Sequence, residues 1–172
     1  MYKRQAINFL SEKGFEEHIT WNNLYEKVCK FSNYLKKLSL KKGDRVAAYV
    51  PNKIETIISF LACAKNGIIW SSCSPDFGAQ GVVDRFKQIE PKVLITSDYY
   101  FYNGKKINIL DKVDEVLKQI PSIQKVIVYN YYKKEKENLK NFIDFEETLK
   151  SEKDESFERF EFNHPIYILF SS

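Results

Sequence analysis

The chain has 172 residues, enough for one domain or a piece of a larger one. Its 44% hydrophobic and 29% charged content supplies a core and a hydrated surface, which excludes global disorder. Lys plus Arg outnumber Asp plus Glu by only 27 to 23, without the basic stripe of a nucleic-acid binder, although a mild positive charge suits an anionic substrate. The three cysteines, Cys29, Cys63 and Cys73, form no CxxC pair, so neither a disulfide framework nor a zinc site is expected, and a reducing cytoplasm fits best. The longest apolar run, Ile57 to Ala64, is too short for a bilayer, so no membrane partner is expected.

In chain order, Met1 to Gln5 are expected to be foreign, because with a GTG start codon they back-translate onto a transposase sequencing adapter. Thr20 then caps a helix whose Trp21, Leu24, Val28, Phe31, Leu35 and Leu38 fall on one apolar face. Gly43 is expected to take the left-handed conformation after it. Arg45 to Val50 predicts a buried strand closed by Pro51-Asn52. A helix over Lys53 to Asn66 follows, with Ile54, Ile57, Ile58 and Leu61 inward, then a strand over Ile68 to Cys73. Gly78 to Ile89 predicts a third helix, with Val82, Val83, Phe86 and Ile89 inward, ended by Pro91. Strands at Val93 to Thr96 and Val126 to Tyr129 flank a helix over Leu110 to Ile120. Tyr131 to Lys140 reads as an exposed loop, Phe142 to Leu149 as a short helix, and Ile166 to Phe170 as a last strand.

Strands that are continuous apolar runs, alternating with helices, predict an α/β fold: a largely parallel sheet with helices on both faces. Ligands in such sheets collect at the carboxyl ends of strands. Hydroxyls stand at three such ends, Ser71-Ser72, Thr96-Ser97 and Ser171-Ser172, although small polar residues are common at any strand-to-loop transition.

Several segments, taken together, carry a family likeness. Ile19 to Leu24 resembles the "(I/L)T(Y/W)xEL" opening of adenylate-forming enzymes, and Leu40 to Ala47 their "GxxxGDRVA" element. Asn52 to Ala64 with Lys65-Asn66-Gly67 is similar to their "N…E…ALACxKxG" helix. Trp70 to Gly78, Gly81 to Phe86 and Gln88 to Lys92 resemble the acetoacetyl-CoA synthetase branch, where acetyl- and propionyl-CoA synthetases carry "GGFSPxAVxxRI". Phe101 to Lys105 also looks like that branch, and His164 to Ser172 resembles the lead into "ILYSSGTTGxPK". The likeness runs from Phe9 to Ser172.

The resemblance implies part of the large amino-terminal domain of an adenylate-forming enzyme, residues 6–172, cut at the phosphate loop. It implies ATP, CoA and Mg2+ as cofactors and acetoacetate as the acid: the carboxylate attacks the α-phosphate, and the CoA thiol then displaces AMP. Ser171 and Ser172 would begin the ATP phosphate loop, or are simply the end of a strand. Tyr102, Asn103, Gly104 and Lys105 would meet the CoA nucleotide. Lys105 matches one of two arginines of related acetyl-CoA synthetases, and Tyr102 stands in place of the other, where stacking on adenine is open to it. The plain alternative is an Asn-Gly turn beside solvated lysines. No catalytic residue and no Mg2+ ligand is expected here, and the chain alone should be inactive. Another short-chain acyl-CoA synthetase is the near alternative, since the acid-selecting residues of this family lie downstream; a non-catalytic nucleotide- or partner-binding module is the distant one.

Other polar residues read as structural. Asp76 suits a cap or turn, and Asp84 and Arg85 are adjacent on a helix and so point apart. His18 and His164 read as surface residues, and Cys73 as partly exposed but unreactive, with no cation beside it. Tyr99, Tyr100 and Tyr102 read as packing.

Overall fold

The computed structural model describes residues 5–132 and 142–171. Met1 to Arg4, Ser172 and most of the expected Tyr131 to Lys140 loop therefore lie outside the described residues.

The chain opens with a hairpin absent from the sequence reading. β1 (Gln5–Leu10) pairs antiparallel with β2 (Glu16–Thr20). Thr20 then caps α1 (Trp21–Lys37): its hydroxyl accepts from the Asn23 amide at 3.2 Å. Leu24, Val28, Phe31 and Leu35 are buried as expected, but Trp21 is 62% exposed. Trp21 is the first residue of the helix and stands out beside Tyr25, whereas the inward face begins with Leu24. The left-handed residue after α1 is Ser39 (φ 60°), and Gly43 (φ 85°) serves the turn into the next strand.

The parallel sheet comes next. β3 (Arg45–Tyr49), α2 (Ile54–Lys65), β4 (Ile69–Cys73), α3 (Ala79–Ile89) and β5 (Val93–Ser97) follow within a residue or so of their expected limits. β6 (Tyr99–Tyr102) and β7 (Lys105–Asn108) form a small hairpin before α4 (Leu110–Gln119) and β8 (Lys125–Tyr129). β9 (Ile143–Asp144) and α5 (Phe145–Thr148) close the set. The strand order is β4-β3-β5-β8-β9, parallel throughout.

That order decides where the helices go. The chain steps from β3 to β4 in one direction, then crosses back over β3 to β5 and on to β8. Right-handed crossovers put helices of opposite steps on opposite faces. Accordingly α1, α2 and α5 pack with Val46, Ala48, Ile95 and Ile127 on one face. On the other, α3 and α4 pack with Ala47, Tyr49, Leu94 and Val128. Consecutive strand residues thus enter different cores, which is why the strands read as unbroken apolar runs.

Three expectations need correcting. The helix expected over Phe142 to Leu149 is shorter: Ile143–Asp144 pairs with β8 as the edge strand β9, and only Phe145–Thr148 is helical. On α2 the buried stripe is Ile54, Ile58 and Ala62 with Glu55, Ser59 and Cys63, while Ile57 is exposed. Small residues let that side of the helix approach the sheet, and Ile57 is left on the rim. Ile166 to Phe170 is not a ladder strand. It is an extended segment joined to β4 by one parallel bridge, Trp70 to Tyr167, through Trp70 N–H to Ile166 O (3.0 Å) and Ile168 N–H to Trp70 O (2.8 Å).

Candidate functional site

The carboxyl ends of β3, β5 and β8 meet where the strand order reverses, the usual ligand crevice of an open α/β sheet. Here side chains fill it. The Thr96 hydroxyl donates to Tyr49 O (2.9 Å), and the Thr56 and Tyr129 hydroxyls meet at 3.1 Å beside Pro51 O. Asp98 Oδ1 accepts the amides of Tyr99 and Tyr131 at 2.7 and 2.8 Å. Burial pushes the Tyr129 hydroxyl well above its ordinary range, so it stays neutral and holds a hydrogen bond.

The open space lies one strand over. A cavity of about 360 Å³ is lined by the β3 exit (Val50, Pro51, Asn52), the β4 exit (Ser72 to Asp76) and the β6 strand (Tyr100, Phe101, Tyr102). Its floor is rigid. Tyr49 Oη lies 2.5 Å from Phe77 O and 3.0 Å from Pro75 O, and the Lys112 ammonium donates to Pro75 O (3.2 Å). Asp76 accepts from the Tyr100 hydroxyl (2.9 Å) and the Ser74 hydroxyl (3.0 Å), so its structural role is that of a turn residue; Gly78 caps α3. Burial, with Asp76 beside it, pushes the Tyr100 hydroxyl up to about 12. Burial raises Cys73 to about 11 even though Arg85 pulls it the other way. Cys73 is thus buried, not partly exposed, and a cation does stand near it, yet its thiol remains inert. These neutral hydroxyls and the inert thiol supply no general base.

The expected site residues divide. Tyr102 reaches the cavity and is 58% exposed. Asn103 (φ 48°) and Gly104 (φ 75°) form the tight left-handed turn that joins β6 to β7, so the Asn-Gly reading is borne out as geometry. Lys105 is exposed beside it. Ser171 is also exposed, and no described contact joins it to the hairpin. The other strand-end hydroxyls are used internally: Ser71 donates to Ile168 O (2.9 Å), Ser72 bonds the Tyr167 hydroxyl, and Ser97 donates to Tyr99 O (2.6 Å). They lock the 166–170 segment and the β6 start in place and are not free for a ligand.

Remaining polar residues fall mostly as read. Asp84 Oδ1 accepts from Gln80 (2.6 Å), while Arg85 donates to Gly81 O (2.8 Å) and stacks on Phe77, so the two do point apart. Tyr99 and Tyr100 pack inward. His164 is not a loose surface residue: its Nε2 lies 2.8 Å from Gly67 O and its ring stacks on Phe160. Tyr131, expected in an exposed loop, is buried against Phe9, Phe15 and Phe101. Sequence reasoning missed Glu12, whose carboxylate accepts the Asn103 and Gly104 amides at 3.2 Å each. The only signal was the turn former Ser11-Glu12-Lys13-Gly14 after the apolar Phe9-Leu10.

Residues 2–172 match the family model described as "AMP-binding enzyme". The chain belongs to this family. The chain is similar to acetoacetyl-CoA synthetase of Xenopus tropicalis, 42% identical over 166 residues, 91% of this chain and 25% of that protein. The Rhizobium meliloti (strain 1021) acetoacetyl-coenzyme A synthetase is 41% identical over 171 residues, 97% of this chain and 26% of that protein. Among solved structures, acetoacetyl-CoA synthetase from Streptomyces lividans superposes with a TM-score of 0.91 at 34% identity, covering 98% of this chain and 26% of that one. The chain therefore spans about a quarter of the length of the relatives it matches.

Proposed function

We propose that the chain contributes part of an ATP-dependent, AMP-forming ligase that joins acetoacetate to CoA through an acyl-adenylate. The observation that carries this reading is the 41–42% identity to two distant acetoacetyl-CoA synthetases over nine-tenths or more of the chain. In this reading the β6–β7 hairpin and the cavity beside it take the CoA nucleotide. Tyr102 offers a ring for the adenine, Lys105 a point charge, and the Asn103–Gly104 turn its amides to phosphate. Ser171 and Ser172 lead toward the ATP phosphates. Mg2+ would offset phosphate charge when bound. Among the described residues no group of three carboxylates, histidines or cysteines fits a metal ion, so no residue and no step is assigned to it. A cytoplasmic setting is proposed from the three free, buried thiols.

The test is acid-dependent CoA consumption with ATP by the product of the reading frame that encodes this sequence. Acetoacetate, acetate, propionate and butyrate are compared. Preference for acetoacetate supports the reading. Preference for another acid keeps the ligase and overturns the substrate, and no turnover by a well-folded product overturns both.

A further inference from the structure

The turn between β1 and β2 leans over the turn between β6 and β7, and a carboxylate joins them. Ser11 to Gly14 is closed by Gly14 N–H to Ser11 O at 3.0 Å, and the Lys13 amide donates to the Ser11 hydroxyl at 3.2 Å. This projects Glu12 toward β6–β7, where Oε1 accepts from Asn103 N–H and Oε2 from Gly104 N–H. The Lys13 ammonium, 5.3 Å from the Phe101 ring centre, steadies the same approach. The innermost strand pair is Tyr102 with Lys105, so neither turn amide belongs to the ladder. Two successive exposed amides converging on one anion make an anion seat. In this structure an internal carboxylate fills it. Lys105 and Lys106 follow directly and add positive charge.

A phosphate monoester offers the same paired oxygens as Glu12 with up to twice the charge. We propose that Glu12 is a built-in competitor for the phosphate monoester of a nucleotide at the Asn103–Gly104 turn. It occupies the seat in the free protein and is displaced on binding, so it sets the affinity. The nucleotide part of this inference rests on the proposed reading of the hairpin as the CoA nucleotide site; the competition does not. A carboxylate that only braced the two hairpins would act with the opposite sign, since losing it would loosen the seat.

The test follows the Asn103 and Gly104 amide resonances of the 172-residue chain, wild type and Glu12→Gln. Inorganic phosphate and adenosine 3′,5′-bisphosphate are added separately. Glutamine keeps the length of the side chain but gives up the charge and one acceptor. The expected result is half-saturation at ~3–10-fold lower phosphate in Glu12→Gln, because a competing state has been depopulated. The bisphosphate should shift in the same direction and bind more tightly than phosphate. Equal or weaker phosphate binding by Glu12→Gln overturns the inference, as does silence of both amides to phosphate in both proteins. If phosphate behaves as expected but the bisphosphate binds no better than phosphate, the competitor stands and the CoA-nucleotide reading of the hairpin falls.

Discussion

The ammonium of Lys53 is fully enclosed, one residue before α2 begins. Glu17 Oε2 lies 2.6 Å away and Glu55 Oε2 3.9 Å. The rings of Phe9, Phe15 and Tyr131 surround it at 4.6, 5.6 and 5.5 Å. A buried cation is tolerated only with partners that replace its water, and here they come from the β1–β2 hairpin, from α2 and from the β8 exit. Removing one partner of such a group leaves the other charged and desolvated. Lys53→Met should therefore cost about 3 kcal/mol in urea unfolding. Adding Glu17→Gln should return part of that loss, because the orphaned carboxylate is neutralised. Additive losses in the double variant would show that Lys53 and Glu17 do not act as a pair. This cage was not legible in the sequence: Pro51-Asn52 reads as a strand end and Lys53 as the first residue of the next helix, and apart from Glu55 the enclosing residues lie far away along the chain.

At the scale of elements, the periodic signals were legible and the edge pieces were not. α1, α3 and α4 mostly bury the apolar positions that their spacing picks out, with Trp21 exposed and Leu38 and Leu117 partly buried, because a helix facing a sheet needs one stripe. The β1–β2 and β6–β7 hairpins escaped notice because their strands are short, polar on one side and fixed by turns. The cavity was legible only through Tyr102 and the strand-end Ser72, since its other walls come together from the β3 and β4 exits and from β6. The α2–β4 connection shows how much a single glycine can hold. Gly67 has φ +64°, donates to Ala64 O (3.1 Å), and accepts from Gly43 N–H (2.9 Å) and His164 Nε2 (2.8 Å). A Cβ there would lie 2.7 Å from Phe160 Cε1. Gly67→Ala should thus cost about 2 kcal/mol or more, from left-handed strain plus displacement of the ring. Gly43→Ala, also left-handed but opening on free space, should cost only about 1 kcal/mol. Limited proteolysis separates the two: cleavage near Phe160 should accelerate in Gly67→Ala alone. Equal cleavage in both variants would mean that Phe160 is not held at Gly67.

Across the whole molecule, residues 151–165 form an irregular strap that crosses α1 and α2 and delivers the 166–170 segment to β4. Asn33 donates to Glu152 O (2.9 Å), and Phe157 stacks on Tyr25 with the Lys65 ammonium 5.0 Å from its ring centre. Asp154 is the centre of this contact, 2.8 Å from Lys36 and 3.6 Å from Lys65, with Ser156 donating from both its amide and its hydroxyl. The Lys36 hydrogen bond first, then Ser156, hold the Asp154 carboxyl well below the usual carboxylate range. A carboxyl lowered in the folded state contributes stability above its unfolded value of about 4, and that contribution is lost as pH falls through and below about 4. Asp44, paired with Lys92, is also lowered and adds an acid limb of its own. The comparison of wild type with Asp154→Asn isolates the strap, because Asp44 is common to both. Urea stability of the wild type should exceed that of Asp154→Asn at neutral pH and fall more steeply between about pH 5 and pH 2, so that the two curves converge. Parallel curves over that range would mean that the Lys36–Asp154 contact is screened by water and does not hold the strap. Convergence would show that the Lys36–Asp154 contact holds the strap against α1.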